Sequence, residues 1–350
     1  MTATAQDFYY NDPRKIKEFI IEALQAGLVP YVKSSPGEGK SSLFKQVAEQ
    51  FNLELIDHRL STSAPEDMTG LPHFKDGKAV FAPFEGLFPT EDTPLPEGKD
   101  GWLLFLDEFN ACDRSIQAAA YKLVLDHMTG QKKLHPRVLI GAAGNFDTDR
   151  AITNPIGTAM QSRVIHLNMK PSYQVWLEDV AIPQDYDHRL IAFVARNPNE
   201  HLSNFRPDHN DDTFVCPRTL EFLNKLVKGK EVKPEKTSLY MGAVGPLALT
   251  FVGFCAVEKD LISIDQIMRD ENLNPPSGAD AKWMTISYLS RNTDDKNFEK
   301  VSAFVGKFDL SMKVLYYRML RHTKPELRAH PVFIERMIEI DKYLNDRPSI

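Results

Sequence analysis

Apolar side chains recur at helical spacing near the amino terminus of the chain. The segment DPRKIKEFIIEALQAG places five of them on one face of a helix: Ile16, Phe19, Ile20, Ala23 and Leu24. Asp12 suits the N-cap, Pro13 the first helical position and Gly27 the position after the C-cap. The pattern therefore predicts an amphipathic helix that packs one face on a core.

Short apolar runs then alternate with helical segments. Five runs have the length of strands: LVPYVK, LELIDHRL, WLLFLD, PRVLIGAAGN and SRVIHLNM. SSLFKQVAEQF and SIQAAAYKLVLDHM have helical spacing between them. Strands that alternate with helices favour a parallel sheet covered on both faces, which predicts an α/β domain. Asp76-Gly77 lies between two short alternating runs and predicts a β-hairpin.

Beyond about residue 170 the pattern becomes helical throughout. NLNPPSGAD, residues 272–280, has the composition of a linker between two helical groups. We therefore predict three parts: an α/β core over residues 1–170, a helical part over 171–270 and a helical extension over 271–350. No internal repeat and no low-complexity tract interrupts this order.

Composition and charge are those of a globular chain. Of 350 residues, 42% are hydrophobic and 26% charged, and the net charge is -6. Residues 1–180 hold 18 basic and 24 acidic side chains, and residues 181–350 hold 24 of each. Neither half is basic, so the sequence predicts no broad electrostatic surface for nucleic acid.

Cysteine usage and hydropathy point to a reducing compartment. Cys112, Cys216 and Cys255 are odd in number and scattered, which predicts neither a disulfide framework nor a metal site. No apolar run reaches the roughly 18 residues that a membrane span needs. The segment MTATAQDFYYNDPRK lacks the basic-then-apolar pattern of a signal peptide. We therefore expect a cytoplasmic protein without a membrane segment.

The segment VKSSPGEGKSS nearly matches the phosphate-binding loop G-x-x-x-x-G-K-[ST], but Ser34 stands at the position of the first glycine. Gly37 and Gly39 let backbone N–H groups turn towards phosphate oxygens, and the following helix points its N-terminus at the same anion. Lys40 can reach the β- and γ-phosphates, and the Ser41 hydroxyl can bind Mg²⁺. A simple Gly/Pro turn before a helix is the alternative, and the preceding strand favours the phosphate loop.

Two carboxylates follow the apolar strand WLLFLD. Asp107 and Glu108 would lie at the carboxyl edge of the sheet, where ligands bind in open α/β folds. Asp107 is suited to hold Mg²⁺ through water, and Glu108 to orient or activate the attacking water. A solvated acidic pair at a strand end is the alternative. The position after a buried strand and downstream of a phosphate loop favours the catalytic interpretation.

Three further polar residues are candidates because of their order along the chain. Asn145 ends the next apolar strand, where its amide could hold the attacking water beside Glu108; a turn-forming asparagine is the alternative. Arg163 precedes the fifth strand, and Arg218 lies at a helix start in CPRTLEFL. A lone arginine is usually a surface charge, so only this order makes the two arginines candidates.

This order of motifs resembles the AAA+ ATPases, and specifically their MoxR-like branch. SSPGEGKSS is similar to the family's phosphate loop, FLDEFNAC to its second nucleotide motif and GAAGN to its sensor-one strand. SAPEDMTGLP with FAPFEGLF resembles the branch's insertion within helix two. AMQSRVIHL resembles the segment with the arginine finger, and CPRTLEFL the sensor-two helix. The resemblance covers roughly residues 10–260.

The resemblance implies Mg²⁺-dependent ATP hydrolysis by an AAA+ core with a helical lid. The residues that it places at ATP are Ser35, Pro36, Gly37, Glu38, Gly39, Lys40, Ser41 and Ser42. It places Mg²⁺ on Ser41 and Asp107, and catalytic roles on Glu108, Asn145, the finger Arg163 and the sensor Arg218. Family members vary at the position of Ser34, so an active site is expected. Ala111 and Cys112 replace an arginine-containing stretch, so no role of that arginine carries over.

The resemblance also implies a ring, usually a homo-hexamer, because the finger of one subunit completes the site of its neighbour. We expect a protein substrate that is remodelled or assembled, in this branch often a protein with a von Willebrand factor A domain. A nucleic-acid motor or loader is less favoured by the charge, and a nucleotide-gated binding module with weak hydrolysis is a third class. Four aromatic residues near the hairpin are expected to anchor it to its own domain or to contact a partner: Phe74, Phe81, Phe84 and Phe88.

Overall fold

The computed structural model describes residues 9–84, 86–149 and 154–345. The chain forms two compact units, Met1–Ser172 with Arg206–His209, and Tyr173–Phe205 with Asn210–Ile350. The strands are β1 (Tyr10–Asn11), β2 (Val29–Lys33), β3 (Glu54–Arg59), β4 (Leu71–Lys75), β5 (Lys78–Ala82), β6 (Trp102–Asp107), β7 (Met128–Thr129), β8 (Lys132–Lys133), β9 (Val138–Gly144) and β10 (Val164–Met169). All of them belong to the first unit.

Six strands form one parallel sheet in the order β1-β10-β2-β9-β6-β3. β6 is buried at every residue, as its run of apolar side chains predicts. β9 lies between β2 and β6, so the strand before the phosphate loop and the strand before the acidic pair are not neighbours. The predicted parallel α/β core is therefore confirmed, and three strands end side by side at its carboxyl edge.

The helices are α1 (Pro13–Gln25), α2 (Lys40–Gln50), α3 (Pro65–Thr69), α4 (Arg114–Asp126), α5 (Thr158–Gln161), α6 (Tyr173–Val175), α7 (His188–Arg196), α8 (Pro198–His201), α9 (Pro217–Val227), α10 (Thr237–Val244), α11 (Leu247–Cys255), α12 (Ile264–Arg269), α13 (Ala279–Asn292), α14 (Phe298–Val305), α15 (Leu310–Thr323) and α16 (Pro331–Asn345). A π-helix, Trp176–Ala181, follows α6. None of the helices within the described ranges is both long and apolar enough to span a membrane.

Helix α1 begins as its sequence predicts. The Asp12 side chain caps it by accepting a hydrogen bond from the Lys15 N–H at 3.0 Å, and Pro13 occupies the first position. α1 and α2 pack on one face of the sheet, and α4 packs on the other. On the first face the ring of Phe44 in α2 stacks on Phe105 in β6, with 4.4 Å between centroids. This contact fixes α2, and with it the loop that precedes it, on the sheet.

The predicted hairpin is present as β4 and β5. Asp76 and Gly77 both have positive φ, 52° and 73°, as a two-residue turn between such strands requires. Its aromatic residues do not all anchor it: Phe88 is 3% exposed, but Phe74 is 83% exposed. Phe81 and Phe84 are exposed as well. The anchoring interpretation therefore fits Phe88 and not the other three aromatic residues.

The second unit is helical, as the sequence predicts. Its apolar core runs from Trp176 to Ile340 and includes residues of both groups of helices. A buried ion pair joins Asp187, the N-cap of α7, to Arg189, with 2.8 Å between Oδ2 and Nη2. The division of this part at residue 270 stays a prediction, as does the boundary at residue 170.

Candidate nucleotide-binding site

The loop between β2 and α2 has the backbone that its glycines predict. Gly37 and Gly39 have φ values of 76° and 97°, in the left-handed region that residues with a side chain rarely adopt. Gly39 is the N-cap of α2 and has no side chain that could cap it. The first N–H groups of this 11-residue helix therefore remain available to an anion at its N-terminus.

Lys40 turns back over the loop that precedes it. Its Nζ donates to the Ser34 carbonyl at 2.8 Å, to the Ser34 hydroxyl at 3.2 Å and to the Ser35 carbonyl at 3.2 Å. It also donates to Asn145 Oδ1 at 3.1 Å, across 105 positions of sequence. Lys40 is only 9% exposed, so the ammonium is held beside the loop instead of in bulk solvent.

Ser41, the residue after Lys40, forms a pair of oxygen groups with Asp107. The Ser41 hydroxyl donates to Asp107 Oδ2 at 3.0 Å, and the Glu108 N–H donates to Asp107 Oδ1 at 2.8 Å. Asp107 is 7% exposed and ends β6. A hydroxyl and a carboxylate at this distance are the oxygen ligands that Mg²⁺ prefers, so the two residues fit the metal that the motif predicts.

Glu108 follows Asp107 with a left-handed backbone, φ 56°, an uncommon conformation for a residue with a side chain. The next residue, Phe109, still donates its backbone N–H to the Ala143 carbonyl of β9 at 2.8 Å, so Glu108 stays at the carboxyl edge of the sheet. The Ser61 hydroxyl, just after β3, donates to Glu108 Oε2. Among nearby groups, Asp57 has a raised pKa because it is partly buried and lies near Asp107 and Glu108. Carboxylates thus gather at the ends of β3 and β6, where a cation would offset their repulsion.

Asn145 follows β9, between the loop and the acidic pair. Asn110 holds its backbone from both sides: Nδ2 donates to the Asn145 carbonyl at 2.8 Å, and Oδ1 accepts from the Asn145 N–H at 3.0 Å. A Cβ on Gly144 would lie 2.4 Å from Asn110 Oδ1, so a glycine is required just before Asn145. Asn110 is 1% exposed, and it fixes the position from which the Asn145 amide reaches Lys40.

The loop also contains a buried carboxyl group. Glu38 is 9% exposed, and burial raises its pKa to about 7. The charge of Lys40 and hydrogen bonds from the Ser34 hydroxyl and the Ser35 backbone act in the opposite direction, and Asp149 adds to the increase. Asp149 has a raised pKa as well, because it is buried; its side chain is hydrogen-bonded to Ser35. The loop between β2 and α2 is therefore not surrounded by positive charge alone.

The two predicted arginines belong to different units. Arg163 is exposed just before β10, and its Nη1 donates to the Ala159 carbonyl at 2.7 Å. β10 is parallel to β2, with Val164 opposite Val29, so Arg163 lies at the amino edge of the sheet. A strand of this length separates the two edges by about 16 Å, at ~3.3 Å per residue. Arg218 is exposed at the second position of α9 in the helical unit.

The structure thus brings the loop, Lys40, Ser41, Asp107, Glu108 and Asn145 to one sheet edge, and it places Arg163 at the other. Ser35 and Pro36 are half-buried in the loop, and Ser42 is exposed in α2. Sequence reasoning missed Asn110, Ser61 and Asp149, and it gave Glu38 no role beyond its place in the loop. The only signal for Asn110 is its position three residues after Asp107.

No family model and no curated protein matches this sequence. Among solved structures, a mutant of RuvB from Thermotoga maritima is 14% identical, with a TM-score of 0.40, and the alignment covers 86% of this chain and 91% of that chain. A candidate ATPase from Cytophaga hutchinsonii is 13% identical, with a TM-score of 0.35, and covers 95% of this chain and 89% of that chain. At this identity and these TM-scores the likeness decides neither the family nor the function of this chain.

Proposed function

We propose that this chain is a Mg²⁺-dependent ATPase of the AAA+ type, in its MoxR-like branch, which forms a ring and remodels or assembles a protein partner. The supporting observation is the hydrogen-bonded set at the carboxyl edge of the sheet: Lys40 with Asn145, and Ser41 with Asp107. These groups come from α2, β6 and the end of β9. A lysine, a hydroxyl, a carboxylate and an amide brought together in this way are suited to bind a phosphate ligand.

The phosphate groups of ATP would bind at the N-terminus of α2. The backbone N–H groups after Gly39 and the ammonium of Lys40 are the donors that face such an anion. The acceptors of Lys40 include two carbonyls, a hydroxyl and an amide, all of which are neutral. A phosphate oxygen is a stronger acceptor because it is ionised, so it can displace some of them.

Ser41 and Asp107 would hold the metal ion, which when bound offsets the negative charge of the phosphates. Glu108 is the residue suited to accept a proton from the attacking water, since it follows the metal-binding carboxylate at the same edge. Asn145 would hold that water or the terminal phosphate through its amide, in the position that Asn110 fixes.

Arg163 supports the ring part of the proposal. It lies at the sheet edge opposite Lys40, about 16 Å away along the strand, and so it is out of reach of a nucleotide on its own chain. From there, Arg163 could contact a nucleotide only on another molecule. In a ring of copies it would serve the nucleotide of a neighbouring subunit, as an arginine finger does. For Arg218 we propose the sensor role on the resemblance alone.

Charge bears on the class of substrate. A ring of six chains would carry -36, which disfavours a sleeve around DNA, since such sleeves depend on positive charge. We therefore propose a protein substrate, with a von Willebrand factor A domain protein as the first candidate. The cytoplasm is the compartment that we propose for it.

A trap experiment tests the proposal. Glu108→Gln should bind ATP and turn it over slowly, so that partners held in the ATP state remain bound. The variant is incubated with a cell extract and ATP, and the captured proteins are compared with those on Lys40→Ala under the same conditions. A partner captured only by the trap supports remodelling. ATPase activity that rises on addition of DNA, with no captured protein, would support a nucleic-acid motor instead, and absence of ATP binding by the wild type would end the ATPase proposal.

A further inference from the structure

The phosphate loop carries its own carboxyl group. Glu38 lies between the two glycines of the loop, is 9% exposed and is two positions before Lys40. Its carboxyl group is thus held within the loop and away from bulk solvent, close enough to Lys40, Ser34 and Ser35 for all three to stabilise its ionised form. A carboxylate in this place competes for the same cation that a nucleotide phosphate needs.

Ser34 connects this carboxyl group to the lysine. Its hydroxyl accepts a hydrogen bond from Lys40 Nζ at 3.2 Å and has one proton to donate. The Ser35 carbonyl, 3.1 Å away, and the Glu38 carboxyl are both possible acceptors, and a charged acceptor makes the stronger bond. A glycine at position 34 could make neither contact. The residue that departs from the usual loop pattern is thus the link between Lys40 and Glu38.

Other charged groups near Glu38 affect the pKa of its carboxyl group. Asp149, which follows β9, is 7% exposed and repels the Glu38 carboxylate, while Asp147 in turn acts on Asp149. Lys40 is the nearby cation that stabilises the carboxylate. The balance, dominated by burial, raises the pKa of Glu38 to about 7. Glu38 therefore gains or loses its proton near neutral pH.

We propose that Glu38 is an affinity-determining residue of the loop: its carboxylate opposes the entry of nucleotide phosphates at Lys40, and nucleotide binds together with uptake of a proton by that carboxylate. The inference rests on the proposed binding of a nucleotide at this loop. The proton comes from solvent and ends on a Glu38 carboxyl oxygen, and no other bond is made or broken. Ser34 acts through Glu38 and Lys40 and is a positioning residue.

The sign of the effect follows from the charges. A bound phosphate adds negative charge beside Glu38 and engages Lys40, so the pKa of Glu38 is higher with nucleotide bound than without it. Between these two pKa values the bound form holds more protons. Nucleotide affinity therefore falls as the pH rises through this range, by up to about tenfold per pH unit for a single group. Below the range Glu38 is protonated in both forms and has no effect.

Titration calorimetry with Mg²⁺-ADP measures the proton directly. Binding is recorded at about pH 7.5 in two buffers with different ionisation enthalpies, for the wild type, Glu38→Gln and Glu49→Gln. Glu49 is exposed near the end of α2, so its variant removes the same charge at a distance from the loop. We expect the wild type and Glu49→Gln to take up a fraction of a proton that Glu38→Gln does not. Protons gained by the nucleotide itself are common to all three proteins and cancel.

The pH dependence gives a second measurement. Glu38→Gln should bind Mg²⁺-ADP about tenfold more tightly than the wild type near pH 8.5 and with similar affinity near pH 6. Ser34→Ala removes the hydroxyl that stabilises the carboxylate, so the wild-type pH dependence should move to higher pH. A merely structural role of Ser34 would change affinity equally at every pH. Should Glu38→Gln not fold, the two-buffer titration of the wild type and of Ser34→Ala still decides.

The outcomes separate this inference from the proposed function. If the wild type binds Mg²⁺-ADP with the same proton uptake and the same pH dependence as Glu38→Gln, the inference is wrong and the nucleotide site stands. If neither protein binds a nucleotide at any pH, the proposed function itself fails. Tighter binding by Glu38→Gln at all pH values alike would also overturn the inference, because it would show an effect of shape and not of a proton.

Discussion

Asn145 Oδ1 accepts a hydrogen bond from Lys40 Nζ at 3.1 Å, which joins the end of β9 to the first residue of α2. The two residues are 105 positions apart in sequence. The contact exists because β9 lies directly beside β2 in the sheet, so Asn145 is the next polar group beyond the loop. A phosphate that draws Lys40 towards itself therefore also releases or moves the Asn145 amide.

Replacement of Lys40 by alanine should abolish nucleotide binding. The side chain supplies the cation that faces the loop, and acceptor groups of Ser34, Ser35 and Asn145 would lose a donor. Binding of a fluorescent ATP analogue measures the effect. Lys45→Ala is the matched control, since Lys45 is an exposed lysine of the same helix. If Lys40→Ala binds the analogue as tightly as Lys45→Ala, the loop does not bind phosphate.

Glu108→Gln should keep ATP binding and lower the rate of hydrolysis by about 10²–10⁴-fold, the range for loss of a positioned general base. The amide can still accept the hydrogen bond from Ser61, so the local structure should persist. Phosphate release at saturating ATP measures the rate. Glu97→Gln, in an exposed loop of the same unit, should hydrolyse ATP as the wild type does. Equal rates for the two variants would assign the base to another residue.

Asn110→Ala should reduce both stability and turnover. The change leaves the Asn145 N–H and carbonyl without their side-chain partners, a cost of about 1–3 kcal/mol in the free energy of unfolding. Turnover should fall because the Asn145 amide is no longer held in place. Urea denaturation and phosphate release measure the two effects, with the exposed Gln131→Ala as control. Loss of stability with normal turnover would restrict Asn110 to a structural role.

The sequence predicted the long periodic elements well, because burial of one face produces a pattern that local reading can detect. α1 with its Asp12 cap is an example, and β6 is recognisable as a continuous apolar run. The short elements β1, α3 and α5 span only two to five residues and carry no such period. These short elements form through contacts with segments that are distant in sequence, and a local pattern of residues cannot indicate such contacts.

The same limit applies to the candidate site. Spacing within the chain indicated Lys40, Asp107 and Glu108, because the local motif itself specifies them. The contact of Lys40 with Asn145 depends on the strand order, which places β9 between β2 and β6. The inward direction of Glu38 depends on Ser34 and on neighbours beyond the loop, so the sequence motif alone gave it no role of its own.

The helical unit should lose stability in acid through Asp187. Burial raises the pKa of this group, but the hydrogen bonds and charge of Arg189 outweigh burial and lower the pKa below its usual value. A lowered pKa in the folded state contributes stability above the unfolded pKa, and this stability is lost as the pH falls through the folded pKa. Denaturation at pH 7 and at about pH 3 should therefore show a smaller pH effect in Asp187→Asn than in the wild type.

At pH 7 the same variant should be less stable by about 3 kcal/mol, because it leaves Arg189 buried without its closest carboxylate. Asp265→Asn, on an exposed position of α12, should behave as the wild type at both pH values. Circular dichroism against denaturant concentration measures each curve. An unchanged pH effect in Asp187→Asn would show that other carboxylates account for the acid sensitivity.

Arg163→Ala tests whether subunits complete each other's sites. The variant should bind ATP normally, since Arg163 lies at the sheet edge away from Lys40, but turnover should fall by about 10³–10⁵-fold if the residue acts as an arginine finger. Arg137→Ala is a close control, because Arg137 is also exposed and precedes another strand of the same sheet, β9, in the same way. Loss of ATP turnover in Arg163→Ala, with normal turnover in Arg137→Ala, would assign the effect to Arg163.

Mixing of two inactive variants then decides whether Arg163 acts in trans. Arg163→Ala subunits keep an intact Lys40 site, and Lys40→Ala subunits supply an intact Arg163, so interfaces between them should recover part of the turnover. Exchange of subunits is verified separately by energy transfer between labelled copies. If exchange occurs and no turnover returns, Arg163 does not serve a neighbouring site. A monomer that is fully active at nanomolar concentration would contradict the ring altogether, because no neighbour would then be present to supply the arginine.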